Sequence, residues 1–94
     1  MPLYFPQLED IQQAAKVIAQ VADETPLQKS IRYSKNLEAN VWLKREDLQR
    51  VRSYKIRGAF NKINSLSPEA LKQGVVCASA GNHAQGVAFA CNHL

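Results

Sequence analysis

The sequence predicts an α/β chain in which a partial parallel sheet is flanked by helices. Apolar residues recur at helical spacing in several segments, and short segments rich in strand formers lie between them. Helical and strand segments therefore alternate along the chain, which is typical of parallel sheets whose strands are joined through helices. The 94 residues and the 46% hydrophobic composition suit one modest globular core rather than a disordered chain.

The amino-terminal half begins with an amphipathic helix predicted over residues 7–22. Its apolar residues follow one another at spacings of three, four, three and four: Leu8, Ile11, Ala15, Ile18 and Ala22. Pro26 limits this helix, because proline disfavours helix in the residue before it. Three short elements are predicted next: a strand at 27–30, a helix at 32–38 and a strand at 41–45.

The second half is predicted to be mainly helical. After a polar loop at 46–52, Ser53 is a plausible N-cap for a helix that ends near residue 66. Ser67 and Pro68 mark the start of a short helix, which Gly74 is well placed to end. The remaining predicted elements are a strand at 75–78, a tight turn at 79–82 and a helix from 84 to the end.

Basic residues concentrate in one stretch, within a chain of net charge +4. Only Glu46 and Asp47 oppose seven cations there: Lys44, Arg45, Arg50, Arg52, Lys55, Arg57 and Lys62. A solvated surface would explain the cluster, and so would an anion site for a phosphorylated cofactor or a nucleic acid. No nucleic-acid-binding motif accompanies it, which favours a chain that binds no nucleic acid.

Lys55 is the first candidate for chemistry. It lies in the first turn of a predicted helix, where the positive end of the helix dipole disfavours the charged ammonium form, and Arg52 and Arg57 add to that effect. A neutral lysine amine is what Schiff-base chemistry with an aldehyde requires. The alternative is an ordinary exposed lysine at a helix start.

A second candidate is the turn that leads into the last helix. Its residues are Ser79, Ala80, Gly81, Asn82 and His83. Backbone N–H groups at a helix start hold anions, and a glycine lets a ligand approach closely, so a carboxylate or phosphate is the expected guest. The alternative is a structural turn capped by Asn82. The pattern matches neither a P-loop nor the dinucleotide-binding fingerprint.

Other functional classes find little support. The chain has no apolar run long enough to span a membrane and begins without a signal-peptide pattern, so a cytoplasmic protein is expected. Cys77 and Cys91 lie among apolar residues, which predicts reduced, packed cysteines. Together with His83 and His93 they fit no standard zinc spacing, so no metal is expected.

Four motifs, taken in order, resemble the fold-type II pyridoxal-phosphate enzymes, the group related to the tryptophan synthase β chain. They are Thr25-Pro26-Leu27, Leu43-Lys44-Arg45-Glu46-Asp47, the stretch from Ser53 to Ala59 and the stretch from Ser79 to Gly86. Within the group the chain is most similar to the threonine dehydratases, or threonine ammonia-lyases. The resemblance covers nearly all of residues 25–94 and is more specific for the group than for the substrate.

The resemblance implies a cofactor, pyridoxal 5′-phosphate, and a role for each matching residue. Lys55 would hold the cofactor covalently and then take the α-proton of the substrate. Tyr54 would lie against the cofactor ring, and Asn82 would hydrogen-bond its phenolic oxygen. The backbone of residues 79–83 would hold the substrate carboxylate. The reaction implied is conversion of L-threonine to 2-oxobutanoate and ammonia, a step of isoleucine biosynthesis.

The resemblance also implies that the chain is an incomplete piece of a two-domain enzyme. Residues 1–52 would belong to the large cofactor domain, and residues 53–94 would begin the small substrate-binding domain. The family's phosphate-binding loop and its partner for the pyridine nitrogen have no match here, so the isolated chain is expected to be inactive. A homo-oligomer is predicted, because a partial sheet has unpaired edges and because members of the family commonly form dimers or tetramers. Serine dehydratase, serine racemase and a non-catalytic remnant remain alternatives.

Overall fold

The computed structural model describes residues 3–94 as five α-helices, one 3-10 helix and two strands. All five predicted helices are present within a few residues of their expected bounds. In chain order the elements are α1 (Leu8–Ile18), β1 (Leu27–Lys29), α2 (Ile31–Asn36), β2 (Trp42–Lys44), the 3-10 helix (Glu46–Leu48), α3 (Lys55–Asn64), α4 (Pro68–Gln73) and α5 (Asn82–His93).

α1 is shorter than predicted. At its start the backbone N–H of Gln7 donates to the Asp10 carboxylate at 2.8 Å, and this bond holds the pKa of Asp10 below its usual range. At its end the Val21 N–H reaches back to the Ile18 carbonyl at 3.0 Å, so the last turn tightens after residue 18. The chain thereby turns inward, and Val21 is fully buried although it lies outside the helix.

The two strands pair antiparallel, so the prediction of a parallel sheet is wrong. Leu27 is opposite Lys44, and Lys29 is opposite Trp42. The reason lies in the connection. α2 has only six residues, and the Ser34 hydroxyl accepts a hydrogen bond from the Val41 N–H at 3.0 Å. That bond folds the chain back beside β1, whereas a parallel pairing would need a longer crossover.

The strand predicted at 75–78 is also absent. These residues have no regular secondary structure, and the side chain of Val76 is fully exposed. A strand exists only where a neighbour accepts and donates its backbone hydrogen bonds. Within residues 3–94 the only paired strands are β1 and β2, and neither pairs with this segment. The apolar residues at 75–78 therefore have no strand partner among the described residues.

α4 begins and ends at the residues that the sequence predicted. The Ser67 hydroxyl accepts a hydrogen bond from the Ala70 N–H at 3.2 Å, and Pro68 is the first helical residue. Gly74 follows the helix with φ of 79°, in the left-handed region that favours glycine. The sequence predicts both ends of α4 correctly because the groups that cap this helix lie within a few residues of each other along the chain.

The core lies where α3 and α5 pack against each other. α1 adds a smaller contact with α3. The buried apolar cluster draws on residues from before, within and after α3: Val21, Val51, Ile56, Phe60, Ile63 and Ala90. This core fixes the amino-terminal ends of α3 and α5, which carry the candidate residues predicted from the sequence.

Candidate active site

Lys55 is the first residue of α3, so it lies in the first turn of a helix as predicted. The N-cap position is occupied by Tyr54 rather than Ser53, which corrects that detail. Ser53 is nevertheless buried, and its hydroxyl accepts a long hydrogen bond from the Lys55 N–H at 3.4 Å. The first turn of α3 contains no acidic residue, so no carboxylate of the helix itself offsets the positive end of its dipole.

Gly86 brings α5 into direct contact with the backbone of Lys55. Gly86 is buried, and a Cβ atom at this position would lie 3.2 Å from both the carbonyl carbon and the carbonyl oxygen of Lys55. The missing side chain therefore lets the two helices approach at this point. The start of α5 is held beside the start of α3 as a result.

An open cavity of about 320 Å³ lies between these two helix starts. It is lined by Tyr54, Lys55, Arg57, Gly58, Ala59 and His83. The structure thus brings three of the candidate residues, Tyr54, Lys55 and His83, around one space. Lys55 and His83 are partly buried, whereas Tyr54 is 62% exposed.

The remaining candidates form the bend before α5 and do not line this cavity. Ser79 caps α5, because its hydroxyl accepts hydrogen bonds from the N–H groups of Gly81 at 3.3 Å and Ala84 at 3.2 Å. Asn82 is therefore not the cap that the alternative interpretation required. Asn82 and His83 are the first two residues of α5, and N–H groups at such positions have no acceptor within the helix. Ala80 and Asn82 are exposed.

Glu46 is the centre of a polar network beside the first turn of α3. Its carboxylate accepts hydrogen bonds from the Thr25 hydroxyl at 2.7 Å and the Gln49 amide at 2.9 Å. It also forms an ion pair with Arg57. The Arg57 guanidinium, with help from Thr25 and Gln49, lowers the pKa of Glu46 to about 2. The same pairing raises the pKa of Arg57.

Partners within the chain account for much of the basic stretch. Arg45 pairs with Asp47 at 2.8 Å, and Arg50 approaches Asp23 at 3.9 Å. Lys44 donates to a backbone carbonyl, and Arg57 pairs with Glu46 as described. Four of the seven cations therefore have partners among residues 3–94, which weakens the interpretation of the stretch as a free anion-binding surface.

Sequence reasoning missed this network. The segment 46–52 was predicted to be a polar loop, yet Gln49 is fully buried and Val51 is 8% exposed. The one available signal was charge: Glu46 and Asp47 stand alone among many cations, which favours a paired carboxylate. Nothing in the sequence indicated that Thr25 contacts Glu46 or that Gln49 contacts Asp23, because these partners are 21 and 26 residues apart.

Three further expectations have structural outcomes. Cys77 and Cys91 are both free but exposed, so the prediction that they are packed is wrong. Among the described residues, no three His, Cys, Asp or Glu side chains lie close enough to hold a metal ion. No helix between residues 3 and 94 combines the length and apolar character needed to cross a membrane.

Comparison with known proteins gives consistent matches. A family model described as pyridoxal-phosphate dependent enzyme matches residues 18–94. The biosynthetic L-threonine dehydratase IlvA of Bacillus subtilis is 56% identical over 88 residues, which cover 94% of this chain. The chain spans about a fifth (21%) of the length of that curated relative.

Two solved structures share the fold. The processed form of threonine deaminase isoform 2 from Solanum lycopersicum aligns with a TM-score of 0.73 and 44% identity, over 93% of this chain and 25% of that one. Maize serine racemase aligns with a TM-score of 0.85 and 34% identity, over 96% of this chain and 28% of its own.

Proposed function

Because the chain belongs to the family of pyridoxal-phosphate-dependent enzymes, we propose that Lys55 is the residue that holds the cofactor. One observation carries the proposal: Lys55 is the first residue of α3 and lines an open cavity that also borders the start of α5. Its amine would also take the α-proton of an amino-acid substrate once the cofactor has been released to that substrate. A lysine can act as a general base only if its amine lies within hydrogen-bonding reach of the proton that it removes.

The volume of the cavity is compatible with part of the site for pyridoxal 5′-phosphate. At about 320 Å³, it lies at the lower end of the roughly 300–1,000 Å³ usual for ligand sites. Gly58 leaves one wall open, since a Cβ atom there would meet nothing within 4 Å. Tyr54 contributes an aromatic side chain to the lining of the cavity. When bound, the cofactor supplies an electron sink for the carbon that loses its proton.

The start of α5 supplies the complementary groups. Asn82 lies outside the cavity lining but next to His83, which is part of it, and its exposed amide would reach in to hydrogen-bond the phenolic oxygen of the cofactor. The backbone from Ser79 to His83 would hold the substrate carboxylate, with the N–H groups of Asn82 and His83 as donors and the dipole of α5 adding attraction. Ser79 keeps this backbone in place through its two hydrogen bonds.

The reaction proposed is the deamination of L-threonine to 2-oxobutanoate and ammonia, with water first eliminated and then added back. Removal of the α-proton by the Lys55 amine would begin the elimination. The proposal is supported by the 56% identity to a protein named biosynthetic L-threonine dehydratase, whose biosynthetic role also suggests isoleucine synthesis. The substrate would be a free amino acid, in a reaction without nucleic acid or membrane.

Serine racemisation is the alternative with a specific observation in its favour. Maize serine racemase has a higher TM-score, 0.85, than the tomato threonine deaminase, 0.73. Sequence identity points the other way, at 34% against 44%. The identity compares the side chains along the whole aligned segment, whereas the TM-score compares only the backbone, which the two activities share. Threonine deamination is therefore the better supported activity. Serine deamination would use the same groups.

The wider organisation is also a proposal. We place residues 1–52 in the large cofactor domain and residues 53–94 at the start of the small domain. A homo-oligomer in the cytoplasm is proposed as well. Self-association is supported by large apolar side chains that are more than half exposed near the amino terminus: Leu3, Tyr4, Phe5, Leu8 and Ile11. Light scattering over a range of protein concentrations would detect it as a rising mass.

The role of Lys55 is tested by trapping. The purified chain is mixed with pyridoxal 5′-phosphate, reduced with borohydride, digested and mapped by mass spectrometry. We expect the label on Lys55 and its loss in Lys55→Ala. Lys62→Ala is the matched control, because Lys62 lies on the same helix but outside this cavity. Label spread evenly over the lysines would refute the proposed role.

Substrate choice is tested in a chimera. These 94 residues replace the matching segment of the Bacillus subtilis relative, and the product is assayed with L-threonine and L-serine. We expect 2-oxobutanoate from threonine and no product in the chimera that carries Lys55→Ala. D-Serine as the main product would favour the racemase alternative. An inactive but folded chimera would favour a non-catalytic remnant.

A further inference from the structure

Three segments that are distant in sequence meet at the carboxylate of Glu46. Thr25 follows α1, Glu46 and Gln49 belong to the 3-10 helix and the residue after it, and Arg57 lies on α3. The Glu46 side chain is only 16% exposed. A carboxylate so enclosed is stabilised only while its partners remain in place, since an unpaired buried charge is costly.

Gln49 extends the network to the backbone. Its side chain is fully buried, and its amide accepts from the Asp23 N–H at 2.9 Å and donates to the Asp23 carbonyl at 2.8 Å. Gln49 also donates to Glu46 at 2.9 Å. The segment after α1 and the 3-10 helix are therefore joined into one unit, to which α3 is attached through Arg57.

Arg57 links this unit to the turn that carries Lys55. The two residues lie in the same first turn of α3, and both line the cavity. Of the three ion pairs formed among residues 3–94, the pair of Glu46 and Arg57 is the one that involves α3. The N-cap residue Tyr54 offers no side-chain hydrogen bond to the helix.

We propose that Glu46 is a positioning residue for Lys55. By holding Arg57, it keeps the first turn of α3 wound and so keeps Lys55 in the wall of the cavity. This inference rests on the proposed role of Lys55 for its catalytic meaning, although the effect on the helix is independent of that role. Glu46 does not line the cavity and is not proposed to contact cofactor or substrate.

The test is hydrogen exchange, read at the two ends of α3 in Glu46→Gln. The Ala59 N–H pairs with the Lys55 carbonyl in helix geometry and reports the first turn, whereas the Ile63 N–H reports the far end. We expect exchange at Ala59 to rise about 10- to 100-fold, as loss of one charge-assisted hydrogen bond implies. A much smaller rise is expected at Ile63.

A merely structural role gives a different result, because global destabilisation raises exchange at Ala59 and Ile63 by the same factor. An equal rise, or no rise at Ala59, would overturn the inference. Asp47→Asn is the control, since it removes a neighbouring carboxylate whose pair with Arg45 is exposed. If Glu46→Gln does not fold, Thr25→Val removes one donor to Glu46 and is expected to speed exchange at Ala59 by about tenfold.

Borohydride trapping with pyridoxal 5′-phosphate then connects the helix to the lysine. In Glu46→Gln the share of label on Lys55, relative to Lys44 and Lys62, is expected to fall about tenfold, the factor for one lost hydrogen bond. If the unmodified chain is not labelled at Lys55, the proposed function fails while the exchange result still decides the effect of Glu46 on the helix. If Lys55 is labelled equally with and without Glu46, the positioning role fails alone.

Discussion

Replacing Gly86 by alanine tests the contact that places α5 against Lys55. The new Cβ atom would lie 3.2 Å from the carbonyl carbon and oxygen of Lys55 and 3.3 Å from the nitrogen of Ile56. All three are backbone atoms in a packed helix, so they cannot turn aside as the end of a flexible side chain can. α3 and α5 must therefore separate by a few tenths of an ångström.

The magnitude follows from two opposing effects. Alanine is better than glycine inside a helix by about 1 kcal/mol. Overpacking a close contact costs about 1–3 kcal/mol. Gly86→Ala should therefore lower the free energy of unfolding by up to about 2 kcal/mol, depending on how far the helices can shift.

Gly58 provides the matched control. It also lies inside a helix, but a Cβ atom there would meet nothing within 4 Å. Gly58→Ala should raise the free energy of unfolding by about 0.5–1 kcal/mol from helix propensity alone. The difference between the two variants, about 1–3 kcal/mol, isolates the contact with Lys55.

Urea denaturation followed by circular dichroism measures both free energies. A Gly86→Ala chain as stable as Gly58→Ala would refute the reasoning, because it would mean that α5 is not held against the backbone of Lys55. Trapping at Lys55 can be repeated on both variants, and Gly86→Ala should show the lower yield.

Two further predictions concern the surroundings of Lys55. The pKa of Glu46 in the folded chain is about 2, against an ordinary value of 4.5. The ionised Glu46 therefore contributes fully to the stability of the fold above about pH 4.5, and this contribution is lost as the pH falls towards 2. We expect the free energy of unfolding to drop by about 2 kcal/mol over that window. This is less than the full pKa shift implies, because the Arg57 side chain is one-third exposed and solvent screens the pair. Glu46→Gln should flatten the drop in acid titrations. Arg52 has φ of 61°, in the left-handed region. Arg52→Gly should therefore relieve strain and raise the free energy of unfolding by about 0.5 kcal/mol, seen as a slightly higher melting temperature. A loss of stability would show that the side chain of Arg52 matters more than its backbone.

Several features of the candidate site were predictable from local sequence. The helical spacing of Ile56, Ala59, Phe60 and Ile63 was enough to predict that Lys55 lies in the first turn of α3, because helix periodicity acts over a few residues. The bend at Ser79 to Asn82 was predicted as a turn for the same reason. The hydroxyl that caps α5, however, belongs to Ser79, five residues before its partner Ala84, whereas the structural-turn alternative had named Asn82 as the cap.

The polar network was beyond local reasoning. Thr25, Glu46 and Arg57 carry no signal that they meet, since each type is ordinarily exposed and the separations are 21 and 11 residues. Burial of Gln49 arises only once the segment after α1 folds over the 3-10 helix, where its amide replaces water as the partner of the Asp23 backbone.

The sequence by itself determined the helices, both caps of α4 and the order of the motifs that identify the family. These depend on short-range periodicity, on backbone preferences such as that of Gly74, and on residue identity. Only the tertiary structure decided that β1 and β2 run antiparallel, that residues 75–78 form no strand, and that Gly86 meets Lys55. Strand pairing and helix contact depend on groups brought together from far along the chain, and a sheet is defined by the neighbour that shares its hydrogen bonds.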